Sequence, residues 1–486
     1  MIKNLCKFGL AAALLVSQGT AVFGDQHQLD KYGGWKEIRG TETGFFHFEK
    51  IDDRYWFITP EGNAFFAVAL SHMLSGESDL ACEKLFDGDR YAWHKAAYQH
   101  AKDMGFNCAL GSATSPERNL NGFVDVEFAE SMFREDNFPY AVGVILLKHP
   151  WEFVDGETLP DIYEPSYKAL IESRAAAVCP KYKDDPLVMG YYYGFGAFNH
   201  SDAWVGHHMS MPPGSAGREA ISDLLIKRYD NDVNAFNKVY GLSLKSMADL
   251  KDKHELTYEK AFDRRNYPAI RKTLDPRMLA DFEAIISDMC IRLYKIGHDA
   301  IRKYDNNHLI FGSFIKEWAL SEDSWKEVAK YVDLISPQHY NEHISINDFG
   351  DAVNMPIIAS DDYFGFHFPG GTGTMHAALV SHDARGEVYR ASMYRHLKDR
   401  QMIGVTYCAC MYDQGGNTLE KNLQNGFIGL DGKPRTSLIE AVTRINHEIY
   451  KHACKPGDAE EMKKLHDDLW GKWKAYAAKR KRPNQH

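Results

Sequence analysis

Short, nearly continuous apolar runs recur along the chain, each followed by polar or aromatic residues and then by a helical pattern. Eight such runs stand at 64–70 (AFFAVAL), 106–111 (FNCALG), 140–147 (YAVGVILL), 187–193 (LVMGYYY), 308–314 (HLIFGSF), 332–338 (VDLISPQ), 356–360 (PIIAS) and 403–411 (IGVTYCACM). Runs this apolar fit parallel strands covered on both faces. Between them, apolar residues fall at helical spacing over 91–105, 165–182, 276–304, 324–331 and 385–401. Eight buried strands alternating with helices predict an α/β fold, a (β/α)8 TIM barrel over 64–453, with 437–453 as its last helix.

The flanks read differently. Phe46–Phe48 and Tyr55–Thr59 alternate like hairpin strands, with Pro60, Glu61 and Gly62 as a turn, so 25–63 is expected to be a β-hairpin extension packed on the barrel. The interval between the fourth and fifth runs is too long for one crossover. Part of it, about 195–275 and including the helical pattern of 222–241, is expected to be a helical insertion over the catalytic face. Residues 454–486 read as a charged helical tail, an amphipathic surface helix ending in a basic run. At the other end, Lys3 and Lys7, the apolar stretch Phe8–Val16 and small residues around Ala21 and Gly24 predict a secretory signal over 1–24. The product is then secreted or periplasmic. No stretch is long enough to span a membrane.

Loss of that segment would take the net charge from −10 to −12 by removing two lysines, and an acidic balance disfavours nucleic acid as a partner. Seven cysteines would remain, an odd number; Cys108, Cys179, Cys408 and Cys410 lie in or near apolar segments, so at most one disulfide is expected. The composition is that of a globular protein, 44% hydrophobic and 26% charged, with a high aromatic content of 13% that suits a sugar cleft and a core alike. No phosphate-cradling glycine loop, GxSxG elbow or HExxH pattern is present, so no cofactor is expected. The Gly-rich stretch 370–376 reads as a flexible lid.

In such a barrel, chemistry lives at the C-terminal ends of the strands. Those ends offer His72, then His149 and Trp151, then His200 and Trp204, then Glu317 and Trp318, then Gln338, His339, Tyr340 and Asn341, then Asp361 and Asp362, and finally Tyr412. Carboxylates across a barrel mouth ringed by aromatics point to glycoside hydrolysis, which needs one carboxyl as acid and another as nucleophile or base. Adjacent acids raise one another's pKa, and alternate strand positions face opposite ways, so one of Asp361 and Asp362 enters the mouth. Asp361 is the stronger candidate for catalysis, with Asp362 grouped with the substrate contacts. His149, His339 and His343 with Asp361 would be needed for a metal centre, but their spacing matches no metal motif, and none is expected.

Several motifs then carry a resemblance. "DDRYWFITPEGNAFFAVALSHM" (52–73), "DDPLVMGYYY" (184–193), "DLISPQHYN" (333–341), "PIIASDDYFG" (356–365) and "NLQNGFIGLDGKP" (422–434) with "INHEIY" (445–450) resemble, in order, stretches of the beta-agarases of glycoside hydrolase family 50. The resemblance covers about 50–450. It implies a (β/α)8 retaining hydrolase with a Glu acid/base after the fourth strand and a Glu nucleophile after the seventh. At the nucleophile position this chain carries Asp361, and where the family has Asn-Glu it carries Phe195 and Gly196. Asp202, shortly downstream, and Glu317 are the candidate acids, with His200 or His339 as substitutes if the mechanism has changed. The expectation is a secreted hydrolase of a galactan or other algal-type polysaccharide. The alternatives are a barrel that binds carbohydrate without cleaving it and a metal-assisted hydrolase on the same fold.

Overall fold

The computed structural model describes residues 28–74, 79–110, 125–147, 160–194, 201–252, 275–312, 322–336, 353–362, 365–366, 378–379, 382–413 and 426–454, with 464 and 468. For 201–204, 322, 361–362, 365–366 and 378–379 it describes the backbone alone. The predicted signal segment and nearly all of the charged tail lie outside these residues.

The N-terminal extension is larger than a hairpin. Strands β1 (Trp35–Arg39), β2 (His47–Ile51), β3 (Arg54–Ile58) and β4 (Asn63–Phe65) form an antiparallel sheet in the order β1-β4-β3-β2. The β2–β3 pair turns at Asp52 and Asp53, whose φ values of 48° and 64° place both in the left-handed region that Asp tolerates. The Pro60–Gly62 turn instead joins β3 to β4. The apolar run 64–70 hides this, because it serves two sheets: β4 ends at Phe65, and β5 (Ala67–His72) begins after Phe66.

Beyond Phe66 the strands are parallel and alternate with helices. They are β5, β6 (Tyr140–Gly143), β7 (Val188–Tyr192), β8 (Leu309–Gly312), β9 (Ile357–Asp362) and β12 (Met402–Cys410), with a two-residue pair, β10 (Gly365–Phe366) and β11 (Ala378–Leu379), between the last two. One three-stranded sheet runs β5-β12-β9 and another β6-β7-β8. Single parallel bridges extend both: Ala69 to Cys108, Ala109 to Tyr140, and Ile335 to Ile357. Asp333 donates its N–H to the Ile310 carbonyl at 2.9 Å, and its carboxylate accepts the Ile310 N–H at 2.7 Å. The predicted second and sixth strands therefore contribute bridges only. Helices fall where the spacing predicts, at Arg90–Asp103, Pro165–Tyr182, Pro276–Arg302, Glu322–Val328 and His382–Lys398, while the expected last helix is two, Thr436–His447 and Ile449–Cys454, parted at Glu448. Two more, Leu80–Phe86 and Val126–Glu135, escape that reading. The second had a signal: the Asp125 carboxylate caps it by accepting the Phe128 N–H at 3.0 Å. All seven cysteines among the described residues are free thiols, and none of the described helices is long and apolar enough to cross a membrane.

Buried polar groups lock the elements together. Asp305, fully buried ahead of β8, accepts from Tyr191 Oη at 2.6 Å and pairs with His308 Nδ1 at 2.7 Å. Burial alone would push its carboxyl up, but bonds from His308, Tyr191 and the Asn307 N–H outweigh it and hold the pKa at about 2. In the insertion, the predicted 222–241 helix is two, Ala216–Arg228 and Val233–Tyr240, broken where Asp230 and Asn231 take positive φ and Asp232 caps the second. Both helices are tied to Pro276–Arg302 through Asp281, which is fully buried and accepts from Arg228 Nε at 2.6 Å, Tyr229 Oη at 2.6 Å and Tyr240 Oη at 3.0 Å. Replacing Asp281 by Ala strands all three donors, so Asp281→Ala is expected to lower stability by about 3 kcal/mol. Urea unfolding of the variant beside the parent measures this.

Candidate active site

The N-terminal sheet decides which end of the parallel strands is open to chemistry. Arg54 of β3 is buried and donates to the Leu397 and Met402 carbonyls at 2.6 and 3.0 Å. The Tyr55 N–H donates to the Arg400 carbonyl at 2.8 Å. Phe45 sits edge-on to His308 at 5.2 Å. Met402 opens β12 and His308 precedes β8, so the sheet covers the N-terminal strand ends. The C-terminal ends carry the candidate site.

At the C-terminal end of β12 the described residues form a buried charged cluster. Arg385, in the first turn of His382–Lys398, is fully buried. It donates to the Gly426 carbonyl at 3.0 Å and to Tyr407 Oη at 3.2 Å, and lies 3.1 Å from His382 Nδ1. The Gly426 N–H donates to Asp413 at 3.0 Å, and Asp413 forms an ion pair with Arg435. Burial pushes the Asp413 carboxyl up, against the opposing pull of Arg435 and Arg385. Burial, then the charges of Arg385 and Arg435, push His382 down to about 3, so it is neutral at ordinary pH. Its Nδ1 can then accept from the Arg385 guanidinium.

The sequence candidates distribute unevenly. Asp361 and Asp362 end β9, with Asp362 in register with Tyr407 of β12. His72 ends β5, half-buried, in register with Cys410. Asp202 and Trp204 fall within the helix Ser201–Ser210, inside the stretch expected to be a helical insertion. Tyr412 is buried just past β12, edge-on to Phe86 at 5.4 Å and to His100 at 6.4 Å, which is core packing. His149, Trp151, His200, Glu317, Trp318, Gln338, His339, Tyr340 and Asn341 lie outside the described residues. Sequence reasoning missed Arg385 and His382. One signal was available: a cation in the first turn of a helix opposes the helix dipole, so something else must hold it there.

Comparison with known proteins places this geometry. No protein-family model matches the chain. Beta-agarase B of Vibrio sp. (strain JT0107) is 22% identical over 501 residues, covering 86% of this chain and 50% of that protein. The chain is a divergent relative of the beta-agarases. It spans about half the length of the curated relative it matches. A solved exo-beta-agarase superposes with a TM-score of 0.65 at 18% identity, covering 88% of this chain and 67% of that one. BpGH50 superposes with a TM-score of 0.62 at 15% identity, covering 88% and 87%. At these identities the likeness speaks for a shared α/β fold.

The depressed His382 has a consequence for stability. Below its ordinary value of 6.5 the unfolded chain protonates this imidazole, while the folded chain resists down to about 3. The unfolded state then binds more protons, so this contribution to stability falls as pH drops from 6.5 towards 3. His382→Gln, neutral throughout, is expected to show a smaller loss of urea midpoint between neutral and acid pH than the parent.

Proposed function

We propose that the chain is an exported glycoside hydrolase built on a (β/α)8 barrel, cleaving a galactan-type polysaccharide with a pair of carboxylates of which Asp361 is one. The observation that carries this reading is β9, a parallel strand that ends in Asp361 and Asp362 in a relative of the beta-agarases. The barrel reading rests on strand contacts that pass from β12 through β5, 107–110, β6, β7, β8, 332–335 and β9 back to β12. The choice of Asp361 over Asp362 rests on the resemblance, which puts Asp361 at the nucleophile position; Asp362 pairs with Tyr407 past a shift in the β9–β12 register.

Hydrolysis then needs a second carboxyl to protonate the leaving oxygen. Asp202 and Glu317 are the candidates, with Asp361 ionised as nucleophile or as base for water. An Asp in place of a Glu shortens the reach by one methylene. That fits either a shifted substrate or a water placed between base and sugar. Carboxyl separations of about 5 Å and about 6.5–9.5 Å correspond to retaining and inverting outcomes. A second reading, carbohydrate binding without cleavage, is favoured by Phe195 and Gly196 where the resemblance expects Asn-Glu.

The test is hydrolysis of sulfated and unsulfated galactan oligosaccharides, with NMR of the anomer first released. Asp361→Asn is expected to lower kcat on the order of 100-fold or more while leaving the fold intact by circular dichroism. Full activity in that variant would overturn the assignment. Binding of the oligosaccharides without turnover by the parent chain would favour the second reading.

A further inference from the structure

The strand bearing Asp361 and Asp362 and the helix that follows it meet on one side chain. Tyr407 is the register partner of Asp362, and its hydroxyl accepts from Arg385 in the first turn of His382–Lys398. The Tyr407 ring is buried, edge-on to Tyr389 of the same helix at 5.1 Å and to Phe427 at 6.0 Å. Arg385 also holds the Gly426 carbonyl, so one guanidinium joins β12, the helix start and the segment that returns after β12. Helix formation does not call for a cation at that position. A fully buried guanidinium is also costly unless its hydrogen bonds are made.

We propose that Arg385 and Tyr407 are positioning residues for the reaction: a clamp that sets the C-terminal end of β9 and, with it, the backbone that carries Asp361. The inference rests on the assignment of Asp361 given above. Tyr407 is the β12 position at which pairing with β9 resumes after a shift in register, opposite Asp362, and its hydroxyl takes the bond from Arg385, so the backbone beside Asp362 inherits its placement from both. A misplacement of about 1 Å in a reacting group costs about 100-fold in rate. An aspartate has less side-chain length than a glutamate with which to absorb such an error. The clamp uses the planar fork of the guanidinium rather than its charge alone, so Lys is no substitute.

Two variants and one control test the clamp. Tyr407→Phe keeps the ring and removes the hydroxyl; Arg385→Lys keeps the charge and removes the fork. Tyr191→Phe removes a buried phenol bond of the same kind, to Asp305, away from this cluster. Expected for Tyr407→Phe is a fall in kcat of about tenfold, and for Arg385→Lys of about 100-fold, each with KM within about twofold. Amide hydrogen exchange should quicken selectively in 357–362, with the amides of β7 unchanged. Tyr191→Phe should lower stability and keep kcat. Unchanged kcat in both clamp variants, or exchange that rises equally in β7 and β9, overturns the proposal. Exchange needs no activity. A parent chain that cleaves no galactan would sink the Asp361 assignment and the catalytic half of this inference, while unchanged exchange in β9 would sink the clamp itself.

Discussion

β12 is the strand through which the two ends of the parallel region hold each other. It pairs with β5, the first parallel strand, along one edge and with β9, the carboxylate-bearing strand, along the other. Gly404 sets how closely the first pair approaches. A Cβ there would meet the Ala67 Cβ at 2.7 Å and the Ala67 carbonyl oxygen at 3.0 Å. Any larger residue pushes β5 and β12 apart, and everything registered on them moves: His72 opposite Cys410, and Asp362 opposite Tyr407. A buried parallel strand can tolerate this dependence because both faces are packed and slippage would expose apolar side chains.

Charge is distributed with the same economy. Asp281 and Asp305 are fully buried, and each is met by several donors, the condition under which a buried carboxylate is tolerable. These two fasten scaffold: one the insertion to a long helix, the other β7 to the entry of β8. The cluster of Arg385, Arg435, Asp413 and His382 differs in its place, at the strand ends that the N-terminal sheet leaves uncovered, and in its sign. With His382 neutral it carries two cations against one anion.

The order of strands and helices was legible because burial on both faces leaves a direct trace, an unbroken apolar run, and helices leave a spacing of three to four. Helix Pro165–Tyr182 begins and ends where its spacing says. What failed to show was continuity. Nothing in AFFAVAL marks Phe66 as the boundary between two sheets, since both sides are equally apolar. The runs at 106–111 and 332–338 are as apolar as their neighbours yet make only bridges, because ladder length depends on partners distant in sequence. Among the candidates, Asp361 stands out in sequence as an acid with no role in a buried strand, and it lies at the end of β9. Arg385 does not stand out, since RGEVYR reads as an ordinary amphipathic start until the surrounding carbonyl and phenol are seen. Tyr412, read from its strand-end position as a substrate contact, is buried against Phe86.

The seat of Arg54 has a kinetic side. Its two carbonyl partners, Leu397 and Met402, stand 343 and 348 residues further along the chain. The N-terminal sheet leaves the ribosome well before the surface it plugs. Until that surface is made, the guanidinium lacks the two carbonyls on which it is seated. Contacts of such sequence separation slow folding, because loop closure comes before reward. The plug is therefore a late step, and a chain halted before residue 397 would carry a sheet without a seat, open to association with other copies.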